Sequence, residues 1–294
     1  MSLSICASGV VSSVVVASNP DTVLLIQKPD VVLPVVNPGI SQPELTATSA
    51  IVIDEQSAVT LFDKNSQQQF SPASTTKLMT ALVARSIFEL DMALAVPSIV
   101  SALDGTRMGL VPGERLSVLA LLKGTLMQSG NDAAITLASA HPAGLDGFIL
   151  DMNLLAEIYH LDHTSFKNPV GYDAPEHFST ARDLALLARE AMRDPVLRNI
   201  VGTTRETVVD TTGATTHDLV STHKLLGVDP TVIGIKTGTT EEAGEVLITQ
   251  FTLKNQSIMV VVMGSKDRYS DTQALMEYVR SAVEWKTVHA NSAL

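Results

Sequence analysis

A chain of 294 residues, 45% hydrophobic and 17% charged, carries enough apolar material for a substantial core, in one large domain or one and a half. Its formal net charge of -11 weighs against nucleic acid as a partner, because proteins that grip a phosphate backbone present a basic face. The single cysteine, Cys6, excludes an intrachain disulfide and a cysteine-based metal site, and the seven histidines fall in no metal-ligand spacing.

The chain opens on residues 1–18, where the apolar run Ile5 to Ala17 has the length of a signal-peptide core but is too short to span a bilayer. No Lys or Arg precedes it, so an export signal and a truncated or tagged start both stay open. Residues 19–47, punctuated by Pro20, Pro29, Pro34, Pro38 and Pro43, read as an extended arm or linker. The folded domain is expected over 48–288. It starts with β-rich runs, Ser49 to Asp54 and Ser57 to Phe62, that flank Glu55-Gln56 and suit a hairpin. From Ser74 the period becomes helical, with Leu78, Ala81, Leu82, Ile87 and Phe88 at spacings of three and four. Further helices are expected at Val118 to Met127, Ala133 to Ala140, Leu145 to Tyr159 and Ala181 to Met192. Strand patterns return at Glu206 to Val209, Val232 to Lys236, Glu245 to Leu253 and Ser257 to Met263, and a last helix is expected near Ser270 to Trp285. Strands at both ends with helices between them imply an α+β fold with a sheet drawn from distant segments.

Three short motifs carry chemistry. In Ser74-Thr75-Thr76-Lys77 the serine and lysine share one helical face, so an amine can reach the hydroxyl. A serine needs a base to accept its proton, and a lysine serves only if burial or a neighbouring cation lowers its pKa. An ordinary helix capped by Ser71 or Ser74 accounts for this motif equally well when it stands alone. Ser129-Gly130-Asn131 falls in a tight connection between two helical runs, where a plain turn also wants Gly and Asn. Its chemical reading gives Ser129 a proton relay and the Asn131 amide a bond to a substrate backbone. Lys236-Thr237-Gly238 closes a β-run. It offers a cation and a hydroxyl for a carboxylate beside a bare backbone, or else simply ends a surface strand.

Ser-x-x-Lys, Ser-Asp-Asn and Lys-Thr-Gly, in that order, mark penicillin-binding proteins and class A β-lactamases. With Gly130 in the middle motif, the chain resembles the low-molecular-mass D-alanyl-D-alanine carboxypeptidases. The likeness extends through Ser71 to Ala81, Phe166 to Tyr172, Ser179 to Leu184, and Gly234 to Thr239 with Ala243-Gly244. The resemblance implies a β-lactamase/transpeptidase-like fold, an antiparallel sheet from both chain ends packed with an α-helical subdomain. It implies that Ser74 forms an acyl-enzyme, Lys77 takes its proton, Ser129 relays protons and Asn131 positions the peptide. Lys236 and Thr237 would bind the terminal carboxylate, Gly238 would let substrate approach, and the N–H groups of Ser74 and Thr239 would form the oxyanion hole. The implied partners are peptidoglycan stem peptides and, as covalent inhibitors, β-lactams; no metal or organic cofactor is required. The implied location is extracytoplasmic. Family members commonly carry a C-terminal β-domain and an amphipathic anchor, for which this sequence leaves no room, so membrane contact is expected only through the N-terminus. A D,D-endopeptidase using the same residues is the nearest alternative, and a non-hydrolytic penicillin-binding sensor is a further one. A β-lactamase is disfavoured because no Glu-x-x-x-Asn segment separates the second and third motifs.

Overall fold

The computed structural model describes residues 31–288; the apolar segment 1–18 and the first part of the arm lie outside the described residues. Strand β1 (Val31–Val36) comes first, and β2 (Ser49–Asp54) and β3 (Thr60–Lys64) form the expected hairpin. A 3-10 turn, Ala73–Thr76, leads into α1 (Lys77–Ile87). The short pair β4 (Ala93–Ala95) and β5 (Arg115–Ser117) precedes α2 (Val118–Leu126), α3 (Asn131–Ser139) and α4 (Gly144–Ile158). Next come α5 (Ala181–Arg193), α6 (Pro195–Val201) and the hairpin of β6 (Arg205–Val209) with β7 (Thr216–Val220). The chain then runs through β8 (Val232–Thr240), β9 (Gly244–Leu253), β10 (Gln256–Ser265), α7 (Arg268–Ala282) and β11 (Val283–Val288).

The main sheet has the order β3-β2-β10-β9-β8, antiparallel throughout, so the first hairpin and the last strands of the chain build it together. Side-chain alternation explains why it is buried on both faces. Ile51, Ile248, Met259 and Val261 face the helices α1 to α6, whereas Val52, Leu247, Val260 and Val262 face Leu275, Met276 and Val279 of α7. The helix ends are tied down as their sequences dictate. Ser117 caps α2, Thr180 caps α5, Asp194 with Pro195 starts α6, and Asp267 caps α7.

Three differences from the sequence reading have physical causes. The last helix stops at Ala282, and Trp285 lies on β11, where Val283-Glu284-Trp285-Lys286-Thr287-Val288 pairs with β1. Tertiary pairing thus overrides the helical pattern. Residues 31–36 of the arm form β1; its Pro34 is tolerated because β1 pairs on one side only. Finally, β8 does not end at Lys236 but continues to Thr240, so Thr237, Gly238 and Thr239 are strand residues paired with Leu247, Val246 and Glu245.

Candidate active site

The nucleophile motif sits where the 3-10 turn meets α1, against the edge strand β8. Lys77 is fully buried, and its Nζ donates to Ser74 Oγ at 2.8 Å and to Val170 O at 2.7 Å. Neither Ser71 nor Ser74 caps the helix, so the capping alternative does not describe this turn. Ser71 Oγ instead donates to Asp173. The segment resembling the family at Phe166 to Tyr172 makes the acceptor for Lys77. Asn168 Oδ1 accepts the N–H groups of Val170, Gly171 and Tyr172 and thereby curls the chain so that Val170 O faces the amine. Gly171, at φ +89°, lies so close to the turn that a Cβ there would sit 1.8 Å from Ala73 O. Ala73 itself, immediately before Ser74, is held at φ +47°. Such left-handed geometry in a residue with a Cβ is strain that the surrounding packing must hold.

The second motif forms the connection between α2 and α3. Ser129 has φ +62°, again left-handed, and its Oγ accepts from Lys236 Nζ at 2.8 Å. Asn131 begins α3, and its Nδ2 donates to Asp104 O at 2.7 Å and Tyr172 Oη at 3.1 Å. Behind it, the buried carboxylate of Asp132 accepts the N–H groups of Met108, Gly109, Leu110 and Ala133. This carboxylate fixes the loop 104–110 along the rim.

On β8, Lys236 is 1% exposed and also donates to Thr237 O, while Thr237 Oγ1 shares a hydrogen bond with Thr222 Oγ1. A Cβ on Gly238 would stand 3.1 Å from Ser74 N, so the glycine lets the strand pass directly beside the Ser74 backbone. All three motifs therefore line one cleft, with Ser74–Lys77 and Ser129–Lys236 as its two hydrogen-bonded pairs.

Burial, reinforced by the charge of Lys236 and partly opposed by Asp132, holds Lys77 well below the ordinary lysine pKa. Burial, with Arg268 adding to it, pushes Lys236 down to about 7. Two residues that sequence reasoning passed over belong to the cleft. Arg268 donates through Nη1 to Gly238 O and Thr239 Oγ1, both at 2.7 Å, and its buried Nε has no hydrogen-bond partner. Asp173 accepts from Ser71 Oγ, Thr240 Oγ1 and Glu242 N, joining the nucleophile turn to the end of β8. Desolvation works to raise the pKa of Asp173, but these hydrogen bonds prevail and lower it. Asp173 directly follows the Phe166 to Tyr172 motif, a signal that was available; Arg268 follows no motif. No cluster of three or more His, Cys, Asp or Glu side chains able to hold a metal ion occurs among the described residues.

Residues 37–267 match the family described as D-alanyl-D-alanine carboxypeptidase. The D-alanyl-D-alanine carboxypeptidase DacF of Bacillus subtilis is 30% identical over 81% of this chain and 63% of that protein, so the chain spans somewhat under two thirds of that relative. A D-alanyl-D-alanine endopeptidase of Pseudomonas aeruginosa is 32% identical over 78% of this chain and 74% of its own length. Among solved structures, the DD-transpeptidase of Streptomyces K15 superposes with a TM-score of 0.77 at 29% identity, covering 81% of this chain and 98% of that one.

Proposed function

This chain belongs to the D-alanyl-D-alanine carboxypeptidase family, and we propose that it removes terminal D-alanine from peptidoglycan stem peptides through an acyl-enzyme on Ser74. The observation that carries the reading is the 2.8 Å hydrogen bond from Lys77 Nζ to Ser74 Oγ, made by a lysine whose pKa is depressed. With burial holding its pKa well below the ordinary lysine value, Lys77 takes the Ser74 proton as Oγ bonds to the carbonyl carbon of the penultimate residue. The N–H groups of Ser74 and Thr239 receive the oxyanion. The C–N bond then breaks, and the leaving amine takes a proton through Ser129, which Lys236 holds in place. Water attacks the resulting ester as Lys77 accepts its proton, the C–Oγ bond breaks, and Lys77 returns the proton to Ser74 Oγ as the acid product leaves.

Lys236, Thr237 and Arg268 gather positive charge and donors at the strand edge where a terminal carboxylate would rest. An arriving carboxylate favours the charged form of Lys236, so substrate binding itself raises that lysine's pKa. Asn131 holds the acyl half of the peptide, and Gly238 gives the peptide room beside β8. The catalytic domain is assigned to residues 48–288. β-Lactams, which carry a carboxylate beside a reactive amide, acylate Ser74 by the same route. The substrate places this activity outside the cytoplasm; no single helix among the described residues is long and apolar enough to cross a membrane.

Likeness to the Pseudomonas endopeptidase favours, as second reading, cleavage of peptide cross-links by the same side chains. Intact mass after incubation with benzylpenicillin and, separately, with diacetyl-Lys-D-Ala-D-Ala tests both, in wild type and Ser74→Ala. A penicilloyl adduct on wild type alone, with D-alanine released, supports the carboxypeptidase. An adduct without release supports the endopeptidase, and folded wild type with neither sinks the Ser74 assignment.

A further inference from the structure

At the end of the main sheet away from the Lys-Thr-Gly stretch, a cavity of about 380 Å³ opens between α5, α6 and the strand ends, and its lining includes Arg189, Arg193, Arg198, Glu55, Gln250 and Ser257. Three guanidinium groups accompany two carboxylates here, Glu55 in the lining and Glu190 beside Arg189 and Arg193, in a chain whose overall charge is -11. The three arginines are not equally occupied. Arg193 is held bidentately by Glu190, at 2.8 and 2.7 Å. Arg198 donates to Met192 O and so covers a terminal carbonyl of α5, which keeps the negative end of that helix from dominating the cavity. Glu55 is turned toward the strands, where its Oε2 accepts from Gln250 and Ser257. Arg189 alone makes no hydrogen bond among the described residues. Its Nε is buried without a partner, and Glu190 Oε1, the acidic oxygen beside it, stands 3.9 Å away and already accepts from Arg193.

A guanidinium nitrogen shielded from water and left without an acceptor is costly unless a ligand supplies one. The donors left free come from two helices: the Arg189 guanidinium and Nη2 of Arg193 from α5, and Nη1 of Arg198 from α6. A tetrahedral anion accepts from both sides, whereas a planar carboxylate accepts mainly within its own plane. We propose that this cavity is a binding site for a phosphate group, with Arg189 as its anchoring donor. It is separate from the Ser74 cleft and does not depend on the acyl-transfer reading.

The test is calorimetric titration and thermal denaturation of the full chain at fixed ionic strength. The probes are inorganic phosphate, glycerol 3-phosphate, dimethyl phosphate and, as control, acetate. Phosphate at about 100 times its Kd is expected to raise Tm by a few degrees, since a ligand that binds only the folded state stabilises it. Arg189→Gln is expected to weaken phosphate binding about tenfold or more, and Arg189→Lys, which keeps the charge but loses the fork, to weaken it less. Near-ultraviolet circular dichroism without phosphate shows whether each variant is folded, and Arg189→Lys carries the test if Arg189→Gln is not. Binding of glycerol 3-phosphate without dimethyl phosphate assigns the site to free or terminal phosphate; binding of both assigns it to phosphodiesters such as those of polymers or lipid headgroups. No phosphate binding by wild type, an equal effect of acetate, or unchanged phosphate binding in both folded variants overturns the proposal.

Discussion

Replacing Asp132 with Asn probes how the rim of the cleft is held. The carboxylate is 1% exposed, and each of its oxygens accepts two backbone N–H groups, Met108 and Ala133 on Oδ1 and Gly109 and Leu110 on Oδ2. Asparagine keeps one acceptor oxygen and points an NH2 group at the two N–H groups that lose theirs. Hydrogen bonds to a charged group are worth roughly 1.5–3 kcal/mol each, so two of them set an upper figure of about 3–6 kcal/mol. Gly109 is exposed, so its N–H can turn to water and recover part of the loss, which leaves about 2–4 kcal/mol. For a domain of this size that corresponds to a fall in Tm of roughly 4–16 °C, read by circular dichroism. A second readout follows from charge. Asp132 works against the depression of the Lys77 pKa, so the amide shifts the rising limb of the acylation profile to lower pH. A variant whose Tm stays within about 1 °C of wild type would refute the view that this carboxylate anchors the rim.

The rate constant kcat/KM for acylation by benzylpenicillin is expected to be bell-shaped in pH. It rises as Lys77 loses its proton and falls as Lys236 loses its own near 7, and Lys236→Arg should move the falling limb out of range because a guanidinium does not titrate there. An unchanged falling limb in that variant would assign it to another group. Asp173→Ala should lower kcat/KM about tenfold or more by loosening the join between the Ser71 turn and the end of β8, with KM changing less than kcat. Because the folded-state pKa of Asp173 is lowered, its stabilisation is present above the unfolded carboxylate pKa and lost as pH falls through the folded value. The stability gap between wild type and Asp173→Ala, measured by urea denaturation, should therefore close on acidification. Gly171→Ala forces a side chain into Ala73 O at a positive φ, and a loss of more than about 3 kcal/mol, together with acylation, is expected; retention of normal Tm and rate would contradict the close approach.

The candidate side chains could be read from the sequence because each motif is local. Ser74 and Lys77 share a helical face by spacing alone, and the interhelical turn at Ser129 and the β-run before Lys236 announce themselves by composition. What binds the motifs together was less legible. Arg268 reaches Thr239 from the start of α7, a contact created only when β9 and β10 have brought the chain back to the end of the sheet where β8 finishes. Asp173 showed up as part of no pattern, although its neighbours did. The Lys236-Ser129 hydrogen bond joins residues far apart in sequence, and it gives that lysine a second attachment besides the carboxylate-binding task read from the strand. The end of α7 was misjudged because Val279 and Val283 continue a helical spacing, while the competing strand partner, β1, lies at the opposite end of the described chain. Prolines made β1 look like a linker, since its one-sided pairing cannot be seen from composition.

The order of strands in the main sheet also bears on how the chain acquires its structure. The β2–β3 hairpin is made well before β10, yet the other edge of β2 is covered by β10, with Ala50 opposite Val262 and Ile51 opposite Val261. Until residues 256–265 have been synthesised, β2 offers an open, apolar strand edge, the kind of surface on which chains aggregate. The pairing of Val36 with Val283 postpones closure further still. Contacts of such long sequence separation slow folding, so this edge stays open for longer than a local pairing would leave it.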